Sequence, residues 1–320
     1  NVEADALYLY GCTIQHSSGT GVFAEAQVSG TAHVTVQNCT ITDHDAYGIY
    51  CRSYGTGTIV DAWISENEIH DNMSRGVYLH ADGNVGDPKL LALVGNNQIY
   101  AHSSDGVYTY TTSGAISELT VDNNTVYNSG TGVYVRYGTA SSGSTVTVSQ
   151  NSVHTQTTGI RVRTDTCTLS PVFENNTVSG HTGNGIQCEH VNSGALTPTL
   201  TGNQVSGNGT NGVYLSCNQV AAVHNNSLYG NTAYDLYNDS PSAVDASGNW
   251  WEVTTTNEME NPPDPPNITA IFDSYDDGSK GTVDYSGWLN EFGVPADPTL
   301  SVTSPTNSAS QVLTGTKEAN

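Results

Sequence analysis

Basic residues are scarce in this chain: 8 Lys and Arg stand against 31 Asp and Glu, a net charge of −23 over 320 residues. Such a field repels phosphate backbones and anionic headgroups, so nucleic acid and acidic membrane surfaces are not expected partners. No apolar run approaches the ~20 residues of a membrane-spanning helix, so no membrane insertion is expected. The six Cys contain no Cys-x-x-Cys pair, which removes the usual spacing of a structural zinc site. No window carries a helical period of useful length. Low Lys, two Met and abundant Thr, Ser, Asn, Gly and Tyr fit a secreted or cell-surface protein.

What the chain has instead is a repeated triplet, Asn, any residue, then Ile or Val. It runs through Asn67-Glu68-Ile69, Asn97-Gln98-Ile99, Asn124-Thr125-Val126, Asn151-Ser152-Val153, Asn176-Thr177-Val178 and Asn203-Gln204-Val205. Asn226-Ser227-Leu228 and Asn249-Trp250-Trp251 continue it, and Cys12-Thr13-Ile14 and Cys39-Thr40-Ile41 put Cys in the Asn column. The steps from Ile14 to Trp251 are 27, 28, 30, 27, 27, 25, 27, 23 and 23 residues. A period of that size marks stacked supersecondary units. Six or seven residues after each Ile/Val comes a Gly-[Ile/Val] pair, from Gly21-Val22 through Gly48-Ile49 and Gly185-Ile186 to Gly212-Val213. A third β-rich run, such as His33-Val34-Thr35-Val36, precedes each Asn.

Three strands of three to five residues per unit cannot bury a face alone. Stacked in register they give an all-β fold, a right-handed parallel β-helix of about nine to ten coils with three short strands each. Successive coils lie about 4.8 Å apart, so equivalent side chains form ladders. Alternation points Asn and the following Ile/Val inward, where stacked amides and turn backbone can satisfy each other. The Asn column therefore reads as scaffold. The Gly of each Gly-[Ile/Val] pair reads as a turn position needing φ > 0.

The β-helix is expected over residues 1–239. Because residue 1 opens straight into strand-like sequence, further coils or a cap are expected ahead of it. Residues 240–294, acidic, Pro-rich and aromatic, read as a C-terminal cap whose rings pack on the last coil. Residues 295–320 read as a linker and the truncated start of a following β-module. Cys12 and Cys39 share a column in adjacent coils, within Cα range of a disulfide. Cys51 and Cys188 read as small core residues, and Cys167 and Cys217 lie near turns.

These features resemble the parallel β-helix repeat family of bacterial and archaeal secreted surface proteins, whose units read Asn-x-Ile followed by Gly-Ile-Tyr. The tail from Gly248-Asn249-Trp250-Trp251 to Val283-Asp284-Tyr285 is similar to a segment that often closes such repeats, although Glu252 stands where Gly is common. The last 20 residues resemble the opening of an Ig-like module of large bacterial surface proteins. The resemblance implies fold and setting. It leaves function open, because the family spans lyases, hydrolases, epimerases, adhesins and structural proteins.

Alignment of the Gly-[Ile/Val] strands gives two outward columns. One runs Phe23, Tyr50, Tyr78, Tyr108, Tyr134, Arg161, Gln187, Tyr214, Tyr237 and the other Glu25, Arg52, His80, Tyr110, Arg136, Arg163, Glu189, Ser216. Four of the five Arg fall in them. One reading is a face for an acidic polysaccharide or cell-surface glycan, with rings under sugars and Arg forks on carboxylates. The other is a ligandless Tyr ladder, with Glu189 a simple ion partner of Arg163.

No glycosidase carboxylate pair stands out, so the catalytic residues are unassigned and an enzyme here reads as a polyuronate lyase or epimerase. The turn stripe His16, Asp43-His44-Asp45, Asp71-Asn72, His102 and His181 reads as solvated loop. No cofactor is required by this reading. Ca²⁺ is the one metal considered, at Asp273, Asp276 and Asp277, without EF-hand spacing. The leading expectation is a rigid spacer or an adhesion or assembly module attached to neighbouring domains of one large protein. A filament subunit is a further alternative.

Overall fold

The computed structural model describes residues 6–83, 86–139, 143–262, 266–291 and 294–295. Each repeat turns three corners. In one coil the strands are Thr58–Ser65, Glu68–His70 and Val77–Asp82, and in the next Lys89–Gly95, Gln98–Tyr100 and Asp105–Thr112. Every strand bonds in parallel to its equivalent one coil before and one coil after. The result is three parallel sheets of 11, 9 and 10 strands wrapped around one narrow core. Inside, apolar residues stack by type: Ile41, Ile69, Ile99, Val126, Val153, Val178, Val205 and Leu228 form one column with no exposed surface.

The triplet Asn residues are the polar part of that core. All eight from Asn67 to Asn249 are at most 3% exposed. Asn124 shows the pattern. Its backbone N–H and its Nδ2 both donate to Oδ1 of Asn151, each at 2.9 Å, and its Nδ2 also donates to the Val94 carbonyl at 2.8 Å. Asn151 repeats this with Asn176 and Val121, and Asn176 with Asn203 and Val148. A buried amide left unpaired costs about 1–3 kcal/mol, so each Asn is both a load and its neighbour's remedy.

Corners on either side of the short strand need the left-handed backbone region. Before the Asn it is adopted by Asn38, Glu66, Asn96, Asn123, Gln150, Asn175 and Asn225, and after the strand by His16, Asp43, Asp71, Ala101, Asn128 and Thr155. The Gly of the Gly-[Ile/Val] pair, expected there, has no positive φ. Its role is clearance. A Cβ on Gly185 would sit 2.7 Å from the Gly212 carbonyl oxygen, from Asn208 Nδ2 and from Val205 Cγ1 of the next coil. The coils approach too closely there for any side chain.

The expected disulfide between Cys12 and Cys39 is not formed. Stacking in register points both Cβ–Sγ bonds the same way, and each thiol donates to the carbonyl two residues back, Tyr10 at 3.3 Å and Gln37 at 3.2 Å. Cys51 and Cys188 are fully buried core residues.

Beyond Asn238 the chain leaves the coil pattern but still feeds the sheets. Val244–Asp245 and Val283–Asp284 extend the first sheet and Ile271–Phe272 the third. Trp251 is fully buried, and Tyr285 and Trp288 pack against the core. Unexpectedly, Glu252–Glu260 is an α-helix. Its buried side, Thr255, Thr256 and Met259, has too few apolar residues to write a helical stripe into the sequence. Residues 296–320, which include most of the expected linker and following module, and Phe292 of the cap lie outside the described residues.

Clearance and backbone strain separate in two substitutions. Gly185→Ala is expected to lower unfolding free energy by roughly 3 kcal/mol through overpacking. Gly180→Ala, at a left-handed corner with open space around it, is expected to cost only about 1 kcal/mol. Urea titrations compare them, and equal costs contradict the clearance argument.

Candidate functional site

The third sheet carries both outward columns in the register the repeat predicts. Phe23 pairs with Tyr50, Tyr50 with Tyr78, Tyr78 with Tyr108, Tyr108 with Tyr134, and Tyr134 with Arg161. Beside them Arg52 pairs with His80, His80 with Tyr110, Tyr110 with Arg136, and Arg136 with Arg163. The named residues do lie on one face. What they contact there differs from the simplest expectation.

Each arginine of the chain is already engaged. Arg52 bridges Glu25 at 3.0 Å and Asp82 at 2.6 Å, and Arg75 holds Asp105 at 2.9 Å. Arg161 directs Nε and Nη2 onto one oxygen of Glu189, at 2.9 and 2.6 Å. Glu189 therefore serves Arg161, although its strand neighbour is Arg163. Arg163 has its own partner: Asp165 takes Arg163 Nε on one oxygen at 2.8 Å and Arg136 Nη2 on the other at 2.9 Å. Asp165 thus bridges the two stacked arginines. Burial raises the Asp165 carboxyl pKa, but hydrogen bonds from Arg163 and Arg136 outweigh it and hold the group below its ordinary value. Arg52, Arg75, Arg136 and Arg161 also lie over Tyr rings, with Arg75 3.9 Å from the Tyr108 centroid and Arg161 4.8 Å from that of Tyr134. Asp82, Asp105 and Asp165 were not singled out in the sequence, yet Asp82 and Asp165 each follow a column residue by two positions.

The rings are likewise turned toward one another. Tyr50 and Tyr78 stack at 4.5 Å and 6°, and Tyr237 stacks on Phe272 at 4.1 Å and 2°. Tyr78–Tyr108 is a tilted contact and Tyr108–Tyr134 an edge-to-face one, both at 5.2 Å. A ring stacked on its neighbour offers solvent an edge, whereas a sugar needs a face. At one end of the face Tyr50 Oη lies 3.4 Å from His80 Nδ1, next to Arg52. Burial pushes Tyr50 up to about 12 and His80 down to about 4.

A second aromatic ladder stands on the second sheet. His70, Tyr100, Tyr127 and His154 stack at 4.7–5.2 Å with planes within 5°. Its signal was present, since each residue directly follows the Ile/Val of a triplet.

Of the turn stripe expected to be solvated, His16, Asp43, Asp45 and Asp71 are exposed, but His44, Asn72, His102 and His181 are buried. His44, Asn72, His102, Gln156, His181 and Asn208 are at most 3% exposed. They form a second polar ladder in which His imitates Asn. The Asn72 N–H donates to His102 Nδ1 at 3.3 Å, and His102 Nε2 meets the Ile69 carbonyl at 3.2 Å. His44 takes the Ser17 N–H at 3.1 Å and meets the Ile14 carbonyl likewise. Nδ1 is an acceptor here, so the proton sits on Nε2 and the ring is neutral. Burial drives His102 and His181 down to about 4, against smaller upward pulls from backbone hydrogen bonds.

The three aspartates considered for Ca²⁺ are turn acceptors. Asp273 takes the Tyr275 and Val283 N–H groups, both at 2.9 Å, Asp276 the Asp273 N–H at 3.1 Å, and Asp277 the Ser279 N–H at 2.9 Å. Among the described residues no group of three or more His, Cys, Asp or Glu side chains is arranged to hold a metal ion. Each of the three uses at least one carboxylate oxygen to close a turn of the cap. Among the described residues no helix is long and apolar enough to cross a membrane.

A family model described as a right-handed beta helix region matches residues 2–86 and 89–250, well over half of the chain. Comparison with curated proteins and comparison with solved structures each find no match.

The histidine ladder has a consequence in acid. Above pH ~6.5 these rings are neutral folded and unfolded. Between pH ~6.5 and ~4 the unfolded chain takes up protons that the fold refuses, so stability falls as pH falls and then levels off. Each of His102 and His181 should account for a loss on the order of 3 kcal/mol. Buried Asp235, raised by burial to about 6, works in the opposite sense. The double variant His102→Asn/His181→Asn keeps the ladder bonds without the titration, so its denaturation midpoint should drop much less between pH 7 and pH 4. An equal drop contradicts the assignment.

Proposed function

The chain belongs to the right-handed β-helix family, and on that footing we propose that it works as a rigid scaffold of a secreted or cell-surface protein. It sets the distance between neighbouring domains or presents an adhesion or assembly surface. The observation that carries this reading is the completeness of the third-sheet face. Five arginines meet five carboxylates, Glu25, Asp82, Asp105, Asp165 and Glu189, inside the protein itself. In a chain of net charge −23 these pairs balance the charge along that face, where parallel strands stack without mutual repulsion. Contact of an acidic glycan with Arg136, Arg161 and Arg163 requires its carboxylates to displace Asp165 and Glu189, which lie close by and are largely shielded. The setting outside the cell draws on composition, and the neighbouring domains on the repeat's extended form.

One observation favours an enzymatic alternative, a lyase or epimerase acting on a polyuronate. Tyr50, His80 and Arg52 meet at one end of the face, a set able to take a proton from a sugar carbon next to a carboxylate. Against it, Arg52 is held by Glu25 and Asp82.

A polyuronate panel read at the unsaturated-uronate absorbance band, together with an acidic glycan array, separates these readings. The scaffold reading expects no absorbance rise. It expects Arg161→Ala to lower stability by about 1–2 kcal/mol through the unpaired Glu189 while leaving array signals unchanged. Turnover abolished by Tyr50→Phe, or acidic-glycan binding abolished by Arg161→Ala, would overturn it.

A further inference from the structure

One aromatic group is arranged unlike the rest. On the outer face of the first sheet Tyr8, Thr35 and Trp63 follow one another in register across three coils. Tyr8 is 69% exposed and Trp63 52%. Elsewhere rings in adjacent coils cover one another at 4.1–5.4 Å. Here the small Thr35 separates them, so the two rings stand two coils apart, about 9.6 Å along the axis. That is twice a stacking distance, the separation that admits one more ring between them.

The gap is a defined hollow. Tyr8 and Trp63 wall it, Val34 and Thr35 floor it, and His33, Gln37 and Asp61 edge it; it is open to solvent and holds about 230 Å³. Pockets for drug-sized ligands run from roughly 300 to 1,000 Å³, so this one suits a single ring. Its polar rim is fixed: His33 Nδ1 lies 3.0 Å from Asp61 Oδ2. Trp63 is also held in place, its indole N–H donating to Ser65 Oγ at 2.7 Å.

We propose that this hollow is a subsite for one neutral pyranose ring of a glycan. Apolar C–H faces of the sugar pack on the exposed ring surfaces, while hydroxyls donate to the Asp61 carboxylate and to the Gln37 amide oxygen, the Gln37 Nε2 being held by Glu66 Oε2 at 3.0 Å. Asp61 on the rim and the net charge of −23 select a neutral sugar over a uronate. A flat aromatic side chain would gain the stacking but leave Asp61 and Gln37 without hydroxyl partners. The site lies on a different sheet from the arginine ladder, so it stands or falls separately from the scaffold reading.

The test uses the intact chain. Tryptophan fluorescence and saturation-transfer NMR are recorded with linear β-1,4-linked glucose and mannose hexamers, polygalacturonate, and N-acetyltyrosine amide. A neutral hexamer is expected to bind, with the Kd rising at least tenfold in Trp63→Ala and severalfold in Tyr8→Ala. Trp63→Phe should retain part of the binding, Arg161→Ala all of it, and polygalacturonate should not compete. Both aromatic variants should melt with the parent, since each removes an exposed side chain. Absence of binding to either neutral hexamer overturns the proposal. So does binding that survives both aromatic variants, or occupancy by the tyrosine amide alone.

Discussion

A side-chain amide cut off from water has to find its partners in protein, and the core of this molecule is organised around that demand. From Asn97 to Asn226 each ladder Asn receives two N–H groups on its Oδ1 from the coil before it and sends two to the coil after it. No Asn is satisfied within its own coil. Register follows, because a coil displaced by one residue would leave an acceptor and two donors stranded, at about 1–3 kcal/mol for each group. The apolar columns beside the ladder supply most of the driving force of burial and oppose a one-residue slip, which would turn them outward, but a two-residue slip keeps apolar residues inside. The polar ladder is the element that selects one arrangement.

The same logic explains the second ladder at the next corner. Asn and His share that column because both offer an acceptor and, one bond or one ring away, a donor. His102 does with Nδ1 and Nε2 what Asn72 does with Oδ1 and Nδ2. The difference is chemical. An amide is indifferent to pH, whereas an imidazole holds the role only while neutral.

The three-sheet architecture and both outward columns were legible from the spacing of one triplet, because a solenoid repeats its register without interruption. Side chains that step out of the columns were not. Asp82 and Asp165 complete the arginine network from strand ends two positions beyond the columns, where the counterparts of Asp82, Tyr54 and Thr112, carry no charge. His44, His102 and His181 looked like loop residues, since a polar residue beside a turn is usually solvated and burial depends on the coil above it. The Gly of each Gly-[Ile/Val] pair was traced to the wrong cause for a similar reason: φ is local, and the carbonyl that excludes its Cβ belongs to the next coil. The helix at Glu252–Glu260 hid behind a buried side made largely of Thr. The hollow between Tyr8 and Trp63 required knowing that an intervening Thr holds two rings apart.

The claim that the Asn ladder fixes the coils is tested most directly by hydrogen exchange on the parent and on Asn151→Ser, residue by residue. In the parent, the backbone amides of Asn97, Asn124, Asn151, Asn176 and Asn203 should exchange only through global unfolding. In the variant, protection should fall first and most at Asn124, whose N–H donates to Asn151 Oδ1, with smaller losses in the flanking coils. Protection at Asn124 that is unchanged, or lost no more than in the remote coils around Asn67 and Asn226, would contradict the account.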